Sequence, residues 1–327
     1  MVRILSSGTV DKLVELESLL EVIEDGIKKQ GRGMVERPSQ PDMDVGIGLL
    51  TDIDERTGNI LIQSGYVHGH EYYGVKIASV HPQNRDRGFS TVNVVMAMMD
   101  ATTGVPEGFA DWTHPTNVKT GCVGGLAARE LAIEPVHLTI FGAGAQARWQ
   151  ARAIAATTNV DTIRIYSPSD SKFACASELE EELSITTTAV ASPREAVEQC
   201  NVLVTATTAE QPVYSGKHLK EGTLVIGIGA YSREMHELDS ETFGRSASVF
   251  ADAPPNVSEV GEVVAAGVSE QDLIPFSKVL SGNSGRKTSE EILVFESAGS
   301  AIFDVVVGEY VLNLAEKKQC GNVIEIL

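Results

Sequence analysis

Residues Val136-His137-Leu138-Thr139-Ile140-Phe141-Gly142-Ala143-Gly144-Ala145-Gln146-Ala147 constrain the fold more than any other stretch of this 327-residue chain. They read as a buried strand that runs into a glycine turn and then a helix. Ala-rich helix material continues to about Ala156, and a second apolar-biased strand, Thr162-Ile163-Arg164-Ile165-Tyr166, follows one βαβ length downstream. Gly-x-Gly-x-x-Ala alone is as often only a turn, but strand–turn–helix–strand context makes it a dinucleotide site. Gly142 permits the tight turn, Gly144 lets the backbone approach a pyrophosphate, and the small Ala147 lets helix and strand pack closely. The phosphates rest on the helix N-terminus, so Ala145 and Gln146 join the cofactor-binding set.

The segments after this unit keep alternating. Helices are expected at Glu178–Leu183 and Arg194–Gln199, and strands at Thr186–Val190, Val202–Ala206, Thr223–Ile228 and Ala247–Ala251. Short alternating units predict a doubly wound parallel sheet, whose ligands lie at the carboxyl ends of the strands. Ser167, Thr207-Thr208 and Gly229-Ala230 then share one rim. NAD sites place Asp or Glu at the end of the second strand, whereas here the run is Ser167-Pro168-Ser169-Asp170-Ser171-Lys172. Hydroxyls with Lys172 suit a 2′-phosphate and favour NADP, while Asp170 leaves NAD open.

The first third carries no nucleotide signal and reads as an α+β domain. Leu13, Leu16, Leu19, Leu20, Ile23 and Ile27 recur at helical spacing between Thr9 and Lys29. Short strands follow at Val45–Leu50, Asn59–Gln63, Tyr72–Val80 and Thr91–Asp100, with a turn at Thr102–Pro106. Lys76 lies within an apolar strand, where its ordinary reading is an edge lysine facing solvent; Arg37 before Pro38 is ordinarily a surface charge. His68, His70 and Glu71 raise a metal site, but paired histidines without a third ligand at a recognisable spacing are more often structural, so no metal is expected. A helix is expected over Asn117–Leu131. The chain closes on a strand at Ser289–Phe295 and an apolar-faced helix at Ser297–Leu314, which must cover the first domain or build a subunit interface.

A net charge of −19 opposes binding to nucleic acid or anionic lipid. An acidic surface would also suit a high-salt cytosol, an alternative that the lysine content leaves open. No apolar run approaches the ~20 residues of a membrane span, and the first residues do not read as a secretion signal. Cys122, Cys175, Cys200 and Cys320 are widely spaced, as suits reduced thiols, so the expectation is a soluble cytoplasmic protein.

Several stretches resemble the ornithine cyclodeaminase and mu-crystallin family, in the family's order: Arg37-Pro38; Gly74-Val75-Lys76 with His81-Pro82; Asp100 to Pro106; Gly142 to Ala147; Glu237-Leu238; and Gly285-Arg286-Lys287-Thr288-Ser289. The resemblance implies an α/β chain with a Rossmann-type doubly wound parallel sheet, residues 117–296, inserted in an α+β substrate-binding and dimerisation domain, residues 1–116 and 297–327. It implies a homodimer and hydride chemistry at the carbon–nitrogen bond of a small amino or imino acid. Arg37 would grip the substrate carboxylate through its planar fork. Lys76 would lie beside the reacting carbon, with burial lowering its pKa. Two departures bear on the reaction. Lys119 stands in Thr116-Asn117-Val118-Lys119-Thr120 where the family usually has arginine. Tyr231 stands where ornithine-cyclising and some alanine-oxidising members have an aspartate, and a neutral tyrosine is a poor general base. The expectation is therefore an NAD(P)-dependent imine reductase or amino-acid dehydrogenase using Lys76, Arg37, Lys119 and Tyr231. The cofactor-binding set is Gly142, Gly144, Ala145, Gln146, Ala147, Ser167, Lys172, Thr207 and Gly229. The alternatives are an ornithine-cyclising lyase and a nucleotide-binding protein without turnover.

Overall fold

The computed structural model describes residues 1–38, 42–49 and 52–325. The chain divides into two units, Met1–Lys119 with Ser300–Leu327 and Thr120–Gly299. The divisions fall three residues later than the sequence boundaries, at 119/120, within the helix Thr113–Leu131, and at 299/300.

The first unit is built on a mixed sheet. In spatial order its strands are Asn322–Ile324, Val2–Leu5, Pro106–Asp111, Val92–Asp100, Tyr72–Val80, Asp52–Val67 and Val35–Glu36, with Asp42–Leu49 also paired to Asp52–Val67. The strand expected at Val45–Leu50 is therefore Asp42–Leu49, and Leu50 lies outside the described residues. Alternation sorts the side chains by face. Gly74 and Lys76 are buried opposite Met98 and Met96, while the next residue, Ile77, is exposed opposite Val95. Against the buried face lies the helix Ala301–Lys317, whose Gly308 admits the Met98 sulfur so closely that a Cβ would stand 2.6 Å from it.

Two sequence expectations are corrected here. The helix expected from Thr9 to Lys29 is two, Ser7–Val10 and Leu16–Gly31. The consecutive Leu13 and Val14 are both buried, which a turn between the helices accommodates better than one narrow helix face. Lys76 is not at an edge: its strand is hydrogen-bonded on both sides. The short strands Val2–Leu5 and Asn322–Ile324 were not expected, being too short to show a period.

All strands of the second unit are parallel, in the order Thr187–Ala189, Val160–Tyr166, Val136–Phe141, Val202–Thr205, Leu224–Gly227, Leu293–Glu296, Ser248–Ala251 and Leu273–Pro275. The first five give the order 3-2-1-4-5 of a doubly wound sheet, with its switch point beside the strand that feeds the glycine turn. Near-continuous burial of Val202–Thr205, Leu224–Gly227 and Leu293–Glu296 fits strands covered on both faces. The helix expected from Glu178 begins earlier, at Ser171. The last helix starts at Ala301 rather than Ser297, because Ser300 caps it by accepting from the Ile302 N–H.

Candidate active site

In the first unit three elements deliver charge to one buried point. Lys76 comes from the sheet, Lys119 from the helix Thr113–Leu131, and Asp304 from the helix Ala301–Lys317. Lys76 Nζ donates to Asp304 Oδ2 at 2.9 Å, and Lys119 Nζ donates to the same oxygen at 2.7 Å. Trp112 Nε1 donates to the other oxygen, Oδ1, at 2.8 Å. The lysines are 5% and 4% exposed and Asp304 1%. Burial, together with repulsion from Lys119, lowers the Lys76 pKa to about 8 against the attraction of Asp304. Burial raises the Asp304 carboxyl, but the ammonium groups of Lys119 and Lys76 outweigh it and hold the group below its ordinary value. With both lysines protonated, the three side chains carry one positive charge in excess, which suits an anionic ligand.

Asp304 and Trp112 were missed in the sequence. The available signal was an aspartate inside Ala301-Ile302-Phe303-Asp304-Val305-Val306-Val307, since a charge within so apolar a helix is buried and needs partners. Gln63 is also buried, directly across the strand pair from Lys76. Arg37 follows the strand Val35–Glu36, which pairs with the neighbour of the Lys76 strand, and is partly buried. His68 contacts Glu36 at 3.1 Å, whereas His70 lies between Glu309 at 2.6 Å and Lys29 at 2.7 Å. Among the described residues no group of three or more His, Cys, Asp or Glu is placed to hold a metal.

In the second unit Gly142 follows its strand with φ +116°, and a Cβ there would collide with the Ala206 carbonyl oxygen. Only glycine fits that position. Gly144 caps the helix Ala145–Thr157 without a side chain, and a Cβ there would meet nothing within 4 Å, which leaves backbone N–H groups at the helix start open to a phosphate. Gln146 lies in the first turn, and Ala147 is fully buried at the foot of the helix. These features fit a dinucleotide.

At the end of the next strand Ser167 Oγ lies 3.1 Å from Ser169 Oγ, which lies 2.6 Å from Ser171 Oγ. Lys172 Nζ stands over the Tyr166 and Phe173 rings at 5.6 and 5.5 Å. Thr207 and Gly229 follow the strands Val202–Thr205 and Leu224–Gly227, and both donate backbone N–H groups to Glu237. Tyr231 is 51% exposed, and partial burial raises its phenol pKa. Lys76 and Lys119 are thus brought together in one unit, and the glycine turn, the serine run and the Thr207 and Gly229 loops occupy one rim of the other.

The chain is similar to known proteins over most of its length. A Delta(1)-pyrroline-2-carboxylate reductase of Bacillus cereus is 30% identical over 274 residues, covering 81% of this chain and 84% of that protein. The structure of Thermococcus litoralis Delta(1)-pyrroline-2-carboxylate reductase in complex with NADH and L-proline superposes with a TM-score of 0.91 at 27% identity, covering 99% of this chain and all of that one. An archaeal alanine dehydrogenase dimer with bound NAD superposes with a TM-score of 0.90 at 26% identity, covering 100% and 99%. The model of the ornithine cyclodeaminase/mu-crystallin family matches residues 2–319, and the chain belongs to that family.

Proposed function

We propose that this protein reduces a small imino acid to the corresponding amino acid, or runs the reverse oxidation. The observation that carries this reading is the buried Lys76–Asp304–Lys119 cluster with one cation in excess. A substrate carboxylate neutralises that excess, and Lys119, with Arg37, holds it. Trp112 and Asp304 orient the lysines. A lysine with a pKa of about 8 gives or takes a proton near neutral pH, so Lys76 serves the substrate nitrogen. The nicotinamide dinucleotide, when bound, supplies or accepts the hydride. Gly142, Gly144, Ala145, Gln146 and Ala147 would hold its pyrophosphate, and Thr207 and Gly229 would serve its other half. Tyr231, neutral at pH 7, contributes a hydrogen bond or packing rather than base catalysis, which favours reduction over ornithine cyclisation.

For the cofactor we favour NADP over NAD. Three hydroxyls and the Lys172 ammonium at the end of Val160–Tyr166 offer a 2′-phosphate what an acidic residue would refuse. The unit Met1–Lys119 with Ser300–Leu327 is the substrate and dimerisation domain. Ile77, Val95 and Phe109 leave an apolar patch on its outer sheet face, suited to a second copy of the chain. No helix of the described residues is long and apolar enough to cross a membrane, and four free cysteines suit a reducing cytoplasm.

The test is product analysis beside cofactor absorbance, with NADH and NADPH offered against five- and six-membered cyclic imino acids, and with oxidised cofactors offered against alanine, proline and ornithine. Stoichiometric consumption of reduced cofactor with an imino acid is the expected result. Conversion of ornithine to proline and ammonia without net cofactor change, or tight cofactor binding without turnover of any substrate, would overturn it.

A further inference from the structure

Glu237 is fully buried in the second unit and takes no part in the chemistry above. Its Oε1 accepts the Thr207 N–H at 2.6 Å and its Oε2 the Gly229 N–H at 2.8 Å. These N–H groups belong to the loops leaving Val202–Thr205 and Leu224–Gly227, the strands on the far side of the glycine turn from the serine run. One carboxylate therefore clamps two consecutive rim loops. Gly229 is shaped by it: a Cβ there would lie 2.5 Å from Glu237 Oε2 and collide with the Thr207 carbonyl.

A second layer holds the clamp. Glu262 Oε2 accepts the backbone N–H groups of Glu237 and of Leu238, the latter at 2.9 Å. Behind it lies Glu296, whose carboxyl pKa is pushed well up by burial and by the neighbouring Glu262 and Glu237 carboxylates. The chain runs from the Glu262 carboxylate to the Glu237 backbone, and from the Glu237 side chain to the two loops. In a doubly wound sheet the ribose acceptor site at the end of the second strand belongs to the adenosine half, so the loops on the opposite side of the switch point face the nicotinamide half.

We propose that Glu237 is a positioning residue for the nicotinamide half of the cofactor: it holds the Thr207 and Gly229 loops in the shape that half requires, and Glu262 fixes its backbone. This rests on the proposed nicotinamide-dependent reading. Glu237→Gln keeps the shape but replaces one acceptor oxygen by an amide N–H2 that faces a backbone N–H.

The experiment measures binding of the reduced cofactor preferred by the wild type, and of its adenosine half alone (ADP-ribose, or its 2′-phosphate if NADPH is preferred), to wild type and Glu237→Gln. Circular dichroism checks folding. The expected result is roughly ten- to hundredfold weaker binding of the whole cofactor, as for a lost charge-assisted hydrogen bond, with the adenosine half bound within about twofold. Parallel weakening of both ligands would show a merely structural role, and unchanged cofactor binding would show no role; either overturns the proposal. If Glu237→Gln does not fold, Glu237→Asp, which keeps the charge but is too short to reach both N–H groups, is read by the same split. A wild type that binds no nicotinamide cofactor would instead overturn the underlying function.

Discussion

Replacing Asp304 by Asn removes a charge and almost no volume, so its effect isolates the electrostatics of the lysine cluster. Asp304 accepts from two ammonium groups and one indole N–H at 2.7–2.9 Å, in a site closed to water. Asparagine offers one acceptor oxygen and turns an amide N–H2 toward a donor. Removing one partner of a buried ion pair costs about 3–5 kcal/mol. The loss has an escape route, because Lys76 already holds its proton with a pKa of only about 8. Without the attraction of Asp304 that pKa falls further, and Lys76 gives up its proton more readily. The expected loss at pH 7 is therefore near the lower limit, about 3 kcal/mol.

The pH dependence follows with a definite sign. A lysine whose folded pKa is lowered is penalised while it must stay charged, and the penalty lifts as pH rises through the folded pKa, since the unfolded chain then binds more protons. In the variant this relief begins at lower pH than in the wild type, where it begins near pH 8 and runs toward 10.5, the ordinary lysine value. The deficit should narrow by up to about 1 kcal/mol between pH 7 and 8, the full slope of one proton less the part that the wild type itself regains. Urea unfolding followed by the fluorescence of the buried Trp112, repeated at pH 6, 7, 8 and 9, measures it. Lys76→Met combined with Asp304→Asn should cost less than the two single changes added, because the double variant buries one unpaired charge fewer. A loss under about 1 kcal/mol that stays flat from pH 6 to 9 would refute the idea that Asp304 holds two charged lysines.

Three further outcomes are expected. Lys172→Ala should weaken NADPH about tenfold, equivalent to about 1.4 kcal/mol, and leave NADH within twofold, as read by fluorescence titration; equal effects on both would remove the 2′-phosphate assignment. Glu296→Gln should leave stability near pH 4 unchanged and raise it at pH 8, because a buried acid with a raised pKa stabilises below its unfolded value of 4.5 and loses that contribution as pH climbs through the folded value. Denaturation at the two pH values checks this, and a lower stability at pH 8 would contradict a raised Glu296 pKa. Val95→Asp puts a charge on the exposed sheet face, and light scattering should then give the 34.9 kDa of a single chain in place of a dimer; a dimer that persists would move the interface elsewhere.

The nucleotide half of this protein was legible in the linear sequence because its determinants are local. A run of buried β-branched residues, a glycine whose φ must be positive and a small residue one turn into the helix are neighbours in the chain, so the stretch from Val136 to Ala147 announces strand, turn and helix together. The first unit was legible only in fragments. Family resemblance singled out Lys76 and Lys119, but residue chemistry alone left Lys76 as an edge lysine, because strand order is a property of the sheet. Asp304 lies 228 residues from Lys76 and 185 from Lys119, and no local periodicity links them. The joining of Glu237 to Thr207 and Gly229, and through its backbone to Glu262, has the same origin. Local conformational preference is written between neighbours in sequence, whereas the pairing that a buried charge demands is met only by whichever elements the fold packs around it.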